Sequence, residues 1–85
     1  MNAVLPEHVV LSETDYGAVL LDQRRNTYFQ LNPTAVLVLR TVLDGGSEED
    51  AVRRVTETFP VAEERAAGDV AALLERMRAA EVLQA

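Results

Sequence analysis

No cysteine and no lysine occur among the 85 residues, and there is one histidine, His8. The missing thiols exclude disulfides, thiolate metal sites and cysteine nucleophiles. A single histidine excludes a paired-histidine metal site. The cations are eight arginines against 14 acids, a net charge of −6. So acidic a chain lacks the clustered positive face that phosphate contacts require, and no nucleic-acid partner is expected. Long apolar runs are missing too. The longest uncharged stretch, residues 26–39, carries Asn, Gln, Thr and Pro, too short and too polar to span a membrane. Residues 1–8 have no basic segment leading into an apolar one, so no signal peptide is expected and the expected location is cytoplasmic. With no repeats and no low-complexity linker, residues 1–85 read as one small domain. Its apolar content of 48% permits a core, although a chain this short buries only about 60–65% of its unfolded surface.

What is present divides into strands and then helices. Residues 8–11 form a β-branched run, followed by a polar turn at 12–15. Residues 17–22 are an apolar run of strand length, and 22–26 are compatible with a turn. Thr27–Leu31 carries β-branched and aromatic residues. Three strands with short links predict an antiparallel meander. Asn32 then caps a helix with Pro33 in its first turn, and Gly45-Gly46 stops it near Leu43. Arg40 is the only charge of this helix, so it should be the most buried element. Ser47 caps a second helix, with Asp50 completing a capping box and an apolar stripe of Val52, Val55 and Phe59. Pro60 separates it from a third helix over residues 62–80. There Ala66, Val70, Leu73, Leu74 and Met77 recur at helical spacing. Gly68 lies inside that pattern. It marks a later helix start near Asp69, a close approach by another chain, or a tolerated glycine. Val82 and Leu83 should pack back on the core.

Catalytic constellations are nearly absent. Ser12 and Ser47 are the only serines, and neither lies in a Gly-x-Ser-x-Gly elbow. Ser47 reads as a helix cap and His8 as a solvated terminal residue. The acids at the starts of the second and third helices complement the helix dipole and need no metal. Leu43-Asp44-Gly45-Gly46-Ser47-Glu48 falls one residue short of the Gly-Gly-x-Ser-Leu of phosphopantetheine carriers, and Glu48 replaces the apolar residue. Neither a cofactor nor a metal is expected, and the protein is not read as an enzyme.

The informative feature is the third strand. Thr27–Leu31 has no charge and no proline, yet in a three-strand meander it is an edge. Edges are normally guarded by lysine, proline or a bulge, because unpaired N–H and C=O groups invite another chain. An unguarded edge suggests addition of a peptide strand. A covering helix or a second copy of the chain would account for it equally well. Period two puts Tyr28 and Gln30 on one face and Phe29 and Leu31 on the other. The second pair is more apolar and is assigned inward.

Taken in order, these elements resemble the PqqD-like family. The resemblance is carried by Tyr28-Phe29-Gln30-Leu31-Asn32 after a Val-Leu-Leu-Asp strand, an apolar helix, Leu43-Asp44-Gly45-Gly46, Ser47-Glu48-Glu49, and Asp69-Val70…Leu73-Leu74…Met77…Val82-Leu83. It covers about Val9 to Leu83. Its members are RiPP recognition elements, which bind the leader segments of ribosomally made precursor peptides. A domain of this length looks most like the stand-alone leader-binding (B1-type) proteins of lasso-peptide clusters. PqqD, which presents its peptide to a radical enzyme, is the neighbouring reading.

The resemblance implies an α+β, winged-helix-like fold, a three-stranded antiparallel sheet followed by three helices. It implies a leader peptide added to the third strand, in a groove whose other wall is the third helix. On this chain the binding residues would be Thr27, Tyr28, Phe29, Gln30 and Leu31, facing Asp69, Val70, Leu73, Arg76 and Met77, with Leu74 in the core. Leu73 and Met77 could form an apolar pocket there, although the same stripe also reads as core. The implied partners are the precursor leader and a separate (B2-type) leader peptidase. A winged helix also suggests DNA binding, but four acids on the second helix and five on or beside the third argue against that.

Overall fold

The computed structural model describes residues 2–84. Three strands, β1 (Val9–Thr14), β2 (Gly17–Asp22) and β3 (Thr27–Leu31), precede three helices, α1 (Pro33–Leu43), α2 (Glu48–Thr58) and α3 (Glu63–Ala79). The strands pair antiparallel in the order β1-β2-β3, giving the α+β meander-then-helices architecture read from the sequence. β1 runs three residues further than expected. Ser12, Glu13 and Thr14 pair with Val19, Ala18 and Gly17, and the turn contracts to Asp15 and Tyr16. Polar residues are tolerated there because β1 is an outer strand with one face in water. Gly17 has φ +147°, and a Cβ at this position would lie 2.0 Å from the Leu31 carbonyl oxygen. Any side chain at 17 would therefore part β2 from the end of β3.

One sheet face is buried under the helices. Val9, Ala18, Leu20 and Leu31 meet Val38, Leu39 and Val42 of α1 in a single core. The Asn32 side chain accepts the Ala35 N–H at 2.8 Å, Pro33 occupies the first turn, and only Pro33 and Arg40 of α1 are exposed. Arg40 reaches back to pair with Glu13 of β1. α2 starts on the expected capping box. The Ser47 N–H donates to Asp50 Oδ2 at 2.8 Å, and the Asp50 N–H donates to Ser47 Oγ at 3.0 Å. The Ser47 amide, then its hydroxyl, hold the Asp50 carboxyl below the usual aspartate range. Ala51 and Val55 are its buried residues, while Val52 and Phe59 are only half-buried, so the stripe is rotated from the expected one. On α3, Ala66, Val70, Leu73, Leu74 and Met77 are all buried. Gly68 is neither a helix start nor a point of close approach within the chain. It lies mid-helix and exposed, and an added Cβ would meet nothing within 4 Å.

The β2–β3 turn is tied to both ends of the chain. Asp22 is 2% exposed, and its Oδ1 accepts the N–H groups of Arg24 and Arg25 at 3.0 and 3.1 Å. Its Oδ2 is buried without a hydrogen bond, 3.9 Å from both His8 Nε2 and Arg25 Nη1. Burial pushes this carboxyl up. The amides of Arg25 and Arg24, with the charges of His8 and Arg25, outweigh burial and hold it below the ordinary range. His8 is thus a half-buried member of an ionic cluster, not the solvated terminal residue expected. Arg25 also pairs with Glu81 and donates to the Ala80 carbonyl at 3.3 Å, fastening the turn to the end of α3. Val82 and Leu83 return to the core at 3% exposure. Val4 and Gln84 exchange backbone hydrogen bonds of 2.8 and 2.9 Å.

Candidate functional site

The hydrogen-bond directions in the sheet follow from one bond. The Gln23 N–H donates to the His8 carbonyl at 2.8 Å, on the β1 side. Backbone groups alternate in direction along an antiparallel strand. Leu21, Val19 and Gly17 therefore turn toward β1, and Asp22, Leu20 and Ala18 turn toward β3. Their partners Thr27, Phe29 and Leu31 turn back toward β2. The N–H and C=O groups of Tyr28 and Gln30 are left pointing outward, along an edge where no strand pairs among the described residues.

The faces of β3 are equally well defined. Leu31 is 4% exposed and Phe29 is half-buried against the core, while Thr27, Tyr28 and Gln30 are exposed. Phe29 and Leu31 are thus the inward pair. Beyond the free edge, no Cα of β3 comes within 8 Å of a Cα of α3. The gap is a furrow of about 920 Å³. Gln30 and the start of α1 (Asn32, Thr34) form one bank, and Arg65, Asp69 and Arg76 form the other. Ala35, Val38, Ala66, Val70 and Leu73 make an apolar floor. Phe59, Pro60 and Val61, after α2, line it as well.

This arrangement sorts the residues singled out from the sequence. Tyr28 and Gln30 hold the outward backbone groups. Phe29 lies under Arg76, whose guanidinium carbon is 6.0 Å from the ring centroid, within cation–π range. Asp69 is on the rim, 3.7 Å from Arg65. Val70 and Leu73 are floor residues, buried yet lining the furrow. Thr27 and Leu31 belong to the internal ladder and do not line it. Met77 is a correction, since it is fully buried, does not line the furrow and belongs with Leu74 in the core. The wide apolar stripe of α3 supplies core and floor together, and linear spacing cannot separate them. The part of the furrow made by α1, Pro60, Arg65 and Ala66 was missed. Its signal was the stripe extending N-terminally through Ala66, past the ambiguous Gly68.

Chemically the site offers unpaired main-chain donors and acceptors, an apolar floor and charged rims, a surface suited to an extended chain. Among the described residues no three His, Cys, Asp or Glu side chains gather to hold a metal ion, and no helix is long and apolar enough to cross a membrane.

No curated protein sequence matches the chain. Two solved structures are similar. One, described as lasso peptide synthetase B1 complexed with the leader peptide, is 34% identical over all of both chains with a TM-score of 0.90. The other, TbiB1 in complex with the TbiA(beta) leader peptide, is 22% identical over 94% of this chain and 93% of that one, with a TM-score of 0.82, and supports the fold alone. A family model, Coenzyme PQQ synthesis protein D (PqqD), matches residues 17–83, from the first residue of β2 to the tail that closes the core. This chain therefore belongs to the PqqD family, as a PqqD-like RiPP recognition element.

Proposed function

We propose that this protein is a non-catalytic cytoplasmic adaptor of lasso-peptide biosynthesis. It captures the leader segment of a ribosomally synthesised precursor and presents it to a separate leader peptidase. The leader adds as a fourth strand on β3 through Tyr28 and Gln30, and alternate side chains enter the furrow against α3. Main-chain bonds supply affinity that tolerates sequence variation, and the apolar floor around Val70 and Leu73 reads particular side chains. Presentation works by tethering. Holding the leader converts cleavage into a local encounter and raises the effective concentration of the scissile bond at the peptidase.

The observation that carries this reading is the open edge of β3 beside a furrow that the described residues leave unfilled. A similar protein, 34% identical over its whole length, is described with a leader peptide bound. The test is calorimetric titration of the pure protein with the leader peptide of a precursor encoded beside it. The expected result is 1:1 binding at micromolar or tighter affinity. A titration flat up to the high-micromolar range, with the protein folded, refutes the reading. So does a mass that doubles with concentration because β3 pairs with its own copy.

A further inference from the structure

The two walls of the furrow, β3 and α3, both rest on α1, and their backbones do not meet. Side chains span the gap at the end where the furrow stops. Arg76 of α3 reaches over the Phe29 ring. Arg25, two residues ahead of β3, reaches the other way. Its guanidinium donates to the Ala80 carbonyl at 3.3 Å and pairs with the Glu81 carboxylate, just past the last residue of α3. A cation there also meets the negative end of the helix dipole. The root of this bridge is itself fixed. The buried Asp22 carboxylate accepts the Arg25 N–H through Oδ1 at 3.1 Å, and its Oδ2 lies 3.9 Å from Arg25 Nη1. Arg25 is thus held at its backbone by the β2–β3 turn and at its tip by the end of α3. None of Arg25, Ala80 and Glu81 lines the furrow, so whatever they do for a bound peptide goes through the walls.

We infer that Arg25 is a positioning residue for peptide capture: it sets the spacing of β3 and α3, and with it the width of the furrow that an added strand must fill. The inference rests on the adaptor reading above. A strand added to β3 lies about 4.8 Å from it, and its side chains must reach α3 at the same time. Main-chain hydrogen bonds weaken steeply with misalignment, so both contacts are met at one spacing of the walls. Walls already held at that spacing bind without the cost of ordering them. Arginine suits this task because its planar fork takes the carbonyl and the carboxylate together, whereas lysine offers one point charge on a flexible stem. Glu81 carries a matching constraint. Its φ is +60°, a left-handed conformation that glycine adopts more easily. A glutamate stands there nonetheless, and its carboxylate is what meets Arg25. An exposed pair of this kind shifts an equilibrium by up to roughly fivefold, and the carbonyl bond contributes about as much again. That is enough to tune affinity without deciding whether the domain folds.

The test uses Arg25→Lys, which keeps a cation beside Asp22, and Glu81→Gln, which leaves the Asp22 cluster untouched, singly and together. Leader affinity is measured by titration and folding by melting temperature. Spacing of the walls is read without leader from a pair of spin labels on Tyr28→Cys and Ala71→Cys, both exposed positions in a chain with no other cysteine. The expected result is a melting temperature close to the parent's, leader binding roughly three- to tenfold weaker in each single variant, and a broader distribution of label distances. The double variant should bind no more weakly than the weaker single one, because both substitutions open the same bridge. Unchanged affinity in either single variant overturns the inference. So do losses that add in the double variant, which would make the two residues independent contacts. Weaker binding with a parent-like distance distribution overturns it as well, and so does weaker binding that appears only where the melting temperature falls. Failure of the parent itself to bind leader is a separate outcome and refutes the adaptor reading instead.

Discussion

Substituting Tyr28 by proline separates the free edge from the sheet it belongs to. Proline removes one N–H and fixes φ. At Tyr28 that N–H points away from β2, so the internal ladder through Thr27, Phe29 and Leu31 keeps its bonds. Proline is tolerated on edge strands in this orientation. Tyr28→Ala removes the same side chain but keeps the N–H, so the difference between the two variants isolates one backbone donor. A main-chain hydrogen bond is worth about 0.5–1.5 kcal/mol net, and a stranded peptide carbonyl raises the total to about 1–3 kcal/mol. Tyr28→Pro should therefore bind leader about 5- to 150-fold more weakly than Tyr28→Ala, with a similar melting temperature. Phe29→Pro deletes a donor that faces β2, and it should unfold the domain instead. Calorimetry with parallel thermal melts reads both effects. The reasoning is refuted if Tyr28→Pro stays folded and binds as tightly as Tyr28→Ala, because the peptide then does not pair with this edge.

Three further outcomes follow from the packing and the ionic cluster. Met77→Ala should lower stability by about 2–5 kcal/mol in chemical denaturation, because it empties a fully buried site, whereas Arg76→Ala on the rim should leave stability nearly unchanged and weaken leader binding. Gly68→Ala should raise stability by about 0.5–1 kcal/mol with leader affinity unaltered, since the position is helical, exposed and sterically open. Asp22 has its carboxyl lowered in the folded state, so its contribution is fully present above the ordinary aspartate value of about 3.9 and is lost as pH falls from there through the lowered value. Chemical denaturation at a series of pH values should show parent and Asp22→Asn differing in stability at neutral pH and converging as the pH falls below about 4.

Much of the architecture was legible because local signals agreed with one another. Asn32-Pro33, Gly45-Gly46 and the Ser47–Asp50 box each fix a helix end through bonds made within a few residues. The strands announced themselves as β-branched, apolar and aromatic runs between polar turns, and the unguarded Thr27–Leu31 needed only its place at the end of the meander. What escaped depends on contacts between distant segments. His8 looked solvated because Asp22 and Arg24 reach it only after the sheet forms. Met77 and Leu73 share one stripe, and only the packing of α3 against the other helices decides which is core and which is floor. The extension of the furrow toward Ala66 and Pro60 is assembled from three helices and has no linear signature. β1 was cut short because Ser12-Glu13-Thr14 has turn composition, although Glu13 is held through Arg40 and the other two face water.

The two-way bond between Val4 and Gln84 brings the beginning and the end of the fold side by side. A loop spliced there has almost no distance to span, so the order of the elements can be rewired without stretching the core. The same adjacency allows the whole unit to be set into a surface loop of another protein, entering and leaving at one point. The rim between Gln30 and Arg76 would stay clear, because neither Val4 nor Gln84 lines it.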